Sequence, residues 1–166
     1  MNWLSKKNNT IFLGQSVSFS GNAIFNTLKD IDNSKKIELP VFEELQMGMA
    51  TGMAMEGLVP INCYPRFDFL ILAMNQLVNH LDKLQIMSDG IFKPKVIIRV
   101  AIGSKKPLNG GVQHTQDYTE IMKKTLTEIN VVLLNDSKKI FNEFQKAYRA
   151  NHSSLMIENA DFYNDK

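Results

Sequence analysis

Apolar positions along this chain fall into short runs that alternate with segments of helical character. Thr10 to Val17 (TIFLGQSV) is a brief apolar run followed by Ser and Gly, the length of a buried strand. Ile37 to Val41 is a second short strand. Phe42 to Glu56 has one β-branched residue, Thr51, and is rich in Met, Ala and Glu, so it reads as a helix with Gly57 closing it. Leu58 to Tyr64 reads as a strand. Phe69 to Leu84 reads as an amphipathic helix whose apolar stripe is Phe69, Ala73, Leu77, Leu81 and Leu84, with Asn75, Asn79, Asp82 and Lys83 mostly opposite. Lys95 to Ala101 is a strand, followed by a loop containing Gly103, Gly110 and Gly111. Tyr118 to Lys124 is a short helix and Val131 to Asn135 a strand. Ser137 to Ala150 is a helix capped by Asp136 or Ser137, and Leu155 to Glu158 is the last strand.

Strands alternating with helices, several of them apolar throughout, predict an α/β fold: a mostly parallel sheet with helices on both faces. No repeat or linker divides it, so residues 1–166 are expected to form a single domain. Hydrophobic residues are 44% and charged residues 22% of the chain, which supports one core and excludes disorder. The balance of 19 basic and 17 acidic residues is too even to propose a nucleic-acid binder. Cys63 is the only cysteine, which excludes an internal disulfide and fits a reducing compartment. His80, His114 and His152 are too scattered for a zinc site. Met47 to Met55, the most lipid-like stretch, is far short of the ~20 residues a spanning helix needs. The expectation is a cytoplasmic domain with neither nucleic acid nor membrane as partner.

The common α/β signatures are missing: no P-loop, no G-x-G-x-x-G and no G-x-S-x-G. Gly103-Ser104-Lys105-Lys106 reads as a solvated loop, and Arg66, Lys105 and Lys106 read as solvated charges. What remains is a spacing: Glu43, four residues, Gly48-Met49, two residues, Gly52-Met53. It resembles the pyrimidine-domain signature of thiamine-diphosphate enzymes. The segment Gly52 to Ile61 (GMAMEGLVPI) is similar to the G-A-A-M-A-G-L-x-P-I of 2-oxo-acid dehydrogenase beta subunits. Phe67-Asp68-Phe69 and Ala73 to Asn79 (AMNQLVN) resemble the run that follows in that family. Val96 to Arg99, Gly111 to Gln116 (GVQHTQ, with Thr for the family's Ser), Ala147-Tyr148-Arg149 and Leu155 to Asn159 resemble its later segments in order. The likeness covers Thr10 to Asn159.

The resemblance implies the transketolase-like, pyrimidine-binding domain of the thiamine-diphosphate fold, and with it a set of roles. The cofactor reacts through a carbanion on its thiazolium ring and acts as its own base; the protein supplies orientation and one carboxyl at the pyrimidine nitrogen. Glu43 takes that role by position and Glu44 takes none. Phe69 matches the ring that stacks on the pyrimidine, with Phe67 the lesser cofactor-binding neighbour. His114 matches the histidine at the reaction cavity, with Gln116 in support, and Gly48 and Gly52 match a helix pair at a subunit interface.

The family's diphosphate motif, Gly-Asp-Gly followed by Asn-Asn, is absent from these 166 residues, and the sequence stops where the family's C-terminal domain would begin. A second chain bearing the diphosphate-binding domain is therefore expected to hold that end of thiamine diphosphate together with Mg2+, and this chain to pair with itself as a dimer. The expected enzyme cleaves or forms a carbon–carbon bond next to a ketone on a small keto substrate, most like a 2-oxo-acid dehydrogenase. A split transketolase, an acyloin-type carboligase or a 2-oxo-acid decarboxylase subunit are alternatives, and a non-catalytic assembly module is a further one.

Overall fold

A computed structural model describes residues 1–106 and 109–163. In chain order the elements are α1 (Asn2–Ser5), β1 (Thr10–Gly14), α2 (Ala23–Asn26), β2 (Lys36–Glu38), α3 (Glu43–Met55), β3 (Val59–Tyr64), α4 (Phe67–Leu70), α5 (Leu84–Met87), β4 (Ile97–Ile102), α6 (Thr119–Thr125), β5 (Asn130–Leu134), α7 (Ser137–Arg149) and β6 (Ser154–Asn159). Short 3-10 turns cover Asn33–Lys35, Ile71–Ala73 and Ala160–Phe162, and a π-helix covers Asn75–Leu81.

The six strands form one parallel sheet in the order β2-β1-β3-β4-β6-β5. β3 is buried along its whole length, as a strand covered on both faces must be. Alternate strand residues feed two cores. Leu13, Ile98, Val100 and Ile157 pack with α3, the 67–81 segment and α6. Phe12, Ile61, Ile97 and Met156 pack with α1, α2 and α7 on the other face. The step from β1 to β2 crosses the second face and the step from β2 to β3 crosses the first. The winding therefore reverses at β1/β3, and in such sheets ligands bind outside the carboxyl ends of the strands at that reversal.

The expected fold class is the observed one, and the differences are local. β1 ends at Gly14 rather than Val17. Gly14 has φ +143°, and a Cβ there would stand 2.2 Å from the Cys63 carbonyl oxygen. Beyond it, the Glu38 carboxylate accepts from the N–H groups of Ser16, Val17 and Ser18 at 2.5, 2.8 and 2.8 Å, so none of these is left for a strand ladder. The helix expected over 69–84 is instead a broken helical stretch from Phe67 to Met87. Ala73, Leu77 and Leu81 are buried as expected, the first in a 3-10 turn and the other two in the π-helix. At its ends the core takes Phe67 and Leu70, while Phe69 and Leu84 are half-buried.

Asp82, expected on the polar side, is fully buried. It accepts from the N–H groups of Thr127, Glu128 and Ile129 and stitches the π-helix to the entrance of β5. Burial pulls that carboxyl upward, but Lys83 and the three N–H groups outweigh it and hold it below the usual carboxylate range. The N-cap of α7 is Asp136, whose side chain accepts from Lys138 N.

Candidate functional site

Two adjacent glutamates open α3, where a negative charge is favoured by the helix dipole. The fold sends them to different environments. Glu43 turns inward and is 4% exposed; Glu44 faces solvent and, among the described residues, accepts only a long bond from Gln76 Nε2 at 3.4 Å. The backbone carbonyl of Glu43 accepts from the Tyr64 hydroxyl at 3.1 Å. Burial pushes the Tyr64 phenol far above its ordinary range, so it remains a donor. Gln15, the first residue after β1, donates from Nε2 to Glu43 Oε1 at 3.0 Å. Oε2 makes no hydrogen bond to the described residues.

A row of buried polar side chains continues beneath. Gln46, one turn along α3, donates from Nε2 to Asn62 Oδ1 at 2.6 Å and to the Cys63 carbonyl at 3.0 Å. Asn62 Nδ2 donates to the Tyr64 oxygen at 3.4 Å. Gln15, Gln46 and Asn62 were not singled out from the sequence. The available signal was polar side chains inside otherwise apolar segments, as in Val59 to Tyr64 (VPINCY).

Farther along the same carboxyl edge, the Phe69 and His114 rings meet edge to face, 5.6 Å apart and inclined at 77°. His114 Nδ1 is buried and has no hydrogen-bond partner among the described residues, and both Asp68 carboxylate oxygens are in the same condition. Buried polar atoms normally find partners, so His114 Nδ1, beside the Phe69 ring, and the Asp68 oxygens remain open to further hydrogen bonds.

Two expectations change here. Arg66 is not a solvated charge: its Nη1 donates to the carbonyls of Gly103 at 2.7 Å and His114 at 2.9 Å, clasping both ends of the loop. Gly110 lets it do so, since a Cβ there would lie 2.9 Å from Arg66 Nη1 and 3.2 Å from His114 Cβ. The base of the loop is tied down by Asp161, which accepts from the N–H groups of Lys105 and Lys106 at 2.7 and 3.1 Å. Phe67 is not a free neighbour for a ligand either. It is fully buried edge-on to Tyr118, because its position in α4 points into the first core. Gln116, Lys105 and Lys106 are exposed. Gly48 is half-buried and Gly52 exposed, and a Cβ on either would meet nothing within 4 Å.

Among the described residues no cluster of three His, Cys, Asp or Glu side chains is arranged to hold a metal, and no helix is long and apolar enough to cross a membrane.

No family model matches the chain. Among curated proteins it is 27% identical, over 167 aligned positions, to the pyruvate dehydrogenase E1 component subunit beta of Gracilaria tenuistipitata var. liui, covering 98% of this chain and 50% of that one. It is 28% identical to the subunit of the same name from Cyanidium caldarium, again over 98% and 50%. The chloroplastic beta-3 subunit of rice is 29% identical over 78% of this chain and 32% of its own. The chain thus spans about half the length of the first two. Among solved structures, a split-gene transketolase described as an inactive beta4 tetramer superposes with a TM-score of 0.71 at 16% identity, over 95% of this chain and 47% of that one. The transketolase of Campylobacter jejuni superposes with a TM-score of 0.72 at 13% identity, over 92% and 23%. The fold is therefore transketolase-like, and the sequence relatives are pyruvate dehydrogenase E1 beta subunits.

Proposed function

We propose that this homologue of pyruvate dehydrogenase E1 beta subunits is the pyrimidine-binding, beta-type subunit of a thiamine-diphosphate enzyme acting on a small keto substrate. The observation that carries the reading is Glu43. It is a buried carboxyl at the carboxyl end of β1/β3, with one oxygen engaged by Gln15 and the other making no bond to the described residues. Three residues suit thiamine diphosphate: a carboxyl for the pyrimidine nitrogen, Phe69 as a ring face, and His114 with an unpartnered buried nitrogen. When bound, the cofactor supplies the thiazolium ring beside which a carbon–carbon bond is broken or made. Glu43 would offer its free carboxyl oxygen to the pyrimidine nitrogen. Phe69 orients the ring plane. His114, fixed by the Arg66 clasp, holds or moves a proton on the substrate side. Arg66 ties His114 to Gly103, and the His114 ring lies against Phe69.

A 2-oxo-acid dehydrogenase component is the favoured reaction because the sequence relatives carry that name. A ketol-transferring reading of the same site is supported by the fit to the split-gene transketolase over 95% of this chain. A second chain would carry the diphosphate-binding domain and Mg2+. Self-association as a dimer would cover α3, where Phe42 and Leu45 are 56% and 44% exposed beside Gly48 and Gly52. A cytoplasmic setting belongs to the same reading; the Cys63 thiol, pushed up to about 11 by burial, stays protonated and unreactive.

Calorimetric titration tests the split site. The 166-residue chain should bind thiamine diphosphate with Mg2+ weakly or not at all, and should run as a dimer in light scattering. Tight one-to-one binding by this chain without a partner would overturn the division of labour.

His114→Ala, in the assembled enzyme, should cut turnover by roughly 10²-fold, as expected for losing an acid or orienting donor. Hydrogen–deuterium exchange at the cofactor's thiazolium carbon should survive. Collapse of both together would assign His114 to cofactor geometry instead of substrate handling.

A further inference from the structure

A carboxyl that must present a proton has two oxygens, and only one can face the acceptor. The Glu43 side chain alone does not determine which. Gln15 donates its amide N–H to Glu43 Oε1 inside the protein, where Gln15 is 8% exposed and Glu43 4%. An amide N–H needs an acceptor oxygen, and the oxygen it occupies is no longer the free one. We infer that Gln15 is a positioning residue for the cofactor contact: it occupies Oε1 and leaves Oε2 to face the cofactor. The inference rests on the cofactor reading of Glu43.

The surroundings of Gln15 support a fixed placement. On one side Gly14 is pressed against the Cys63 carbonyl, where no side chain could stand. On the other, Ser16 has φ +53°, and its N–H, with those of Val17 and Ser18, is held by the Glu38 carboxylate. The backbone on both sides of Gln15 is thus pinned by partners from β3 and β2, so its amide meets Glu43 with little further ordering cost. A glutamate at position 15 would instead set two carboxyls at hydrogen-bond distance. A carboxylate has no N–H to donate, so Oε1 would no longer be the oxygen held.

The test is a double-mutant cycle on the reconstituted enzyme, read as thiazolium hydrogen–deuterium exchange, with thiamine diphosphate and Mg2+ as the probe. Gln15→Met keeps the length and removes the donor, and Gln15→Asn keeps an amide but withdraws its reach. Each should slow exchange about tenfold, the worth of one hydrogen bond in a buried site. In the Glu43→Gln background neither should slow it further, because Gln15 acts only through Glu43. An equal loss in both backgrounds, or no loss in either variant, overturns the inference. If Glu43→Gln itself leaves exchange unchanged, the cofactor reading fails first, and the two failures are told apart.

A second readout needs no cofactor. In the isolated chain one side-chain amide proton of Gln15 should be protected from solvent exchange by NMR and should lose that protection in Glu43→Ala. Protection that persists in Glu43→Ala would show that the amide is held by something else, and would equally overturn the inference.

Discussion

Glu43→Ala, assembled with the partner chain, should lose cofactor activation by about 10²–10³-fold, the usual consequence of deleting a hydrogen bond that stabilises a transition state. Glu44→Ala should stay close to wild type. The two residues are neighbours in the chain and identical in chemistry, so the contrast isolates placement. Glu43 is buried, held through its carbonyl by Tyr64 and through its carboxyl by Gln15, whereas Glu44 is solvated. The fold should tolerate the first substitution, because Tyr64 bonds to the Glu43 backbone and Gln46 bonds beneath it regardless of the side chain. Thiazolium exchange, with circular dichroism as the check on folding, measures both. Equal losses from the two variants would show that the register chosen for the helix is wrong.

Arg99→Met should destabilise the chain by about 3–5 kcal/mol, a large part of the stability of a domain this size. Arg99 is 1% exposed in the middle of β4 and donates from Nε and Nη2 to both oxygens of Glu158 at 2.6 and 2.8 Å. Nη1 reaches Thr27 at 3.1 Å, and the Tyr163 hydroxyl donates to the same Glu158 carboxylate. Burial alone would press the guanidinium to lose its charge, and Glu158 more than offsets this. Removing Arg99 therefore strands a carboxylate in the second core, between β6 and α7. The double variant Arg99→Met with Glu158→Leu should recover most of the loss, since no buried charge remains unpaired. Urea denaturation of the wild type and the two variants decides it. A single variant costing less than about 1 kcal/mol would mean that water reaches the pair.

How much of this was legible in the sequence differs by element. Strands such as Val59 to Tyr64 were readable because a strand covered on both faces must be apolar throughout, and that constraint is local. α3 was bounded to within one residue at each end, since Gly57 at φ +86° ends it by its own conformational preference. The 67–87 segment was not readable as built. Its α, 3-10 and π turns are chosen by packing onto β4 and α3, and a 3.6-residue stripe drawn from sequence misplaced Phe69 and Leu84 at its ends. α1, α2 and the short turns carry too few residues for any period to show.

For the site, the spacing Glu43-x4-Gly48 pointed to Glu43 over Glu44 only through its resemblance to a family signature, and the structure adds that Glu43 is the buried one of the two. What spacing cannot encode is the company each residue keeps. Gln15 lies 28 positions from Glu43, and Arg66 lies 48 from His114. Only the parallel order β2-β1-β3-β4 brings the carboxyl ends of these strands onto one edge. By itself the sequence determined which chemistry-bearing residues are present and on which elements. The tertiary structure decided which oxygen of Glu43 is engaged, which phenylalanine goes to the core, and that Arg66 is a clasp, because hydrogen bonding and burial depend on neighbours that only strand pairing supplies.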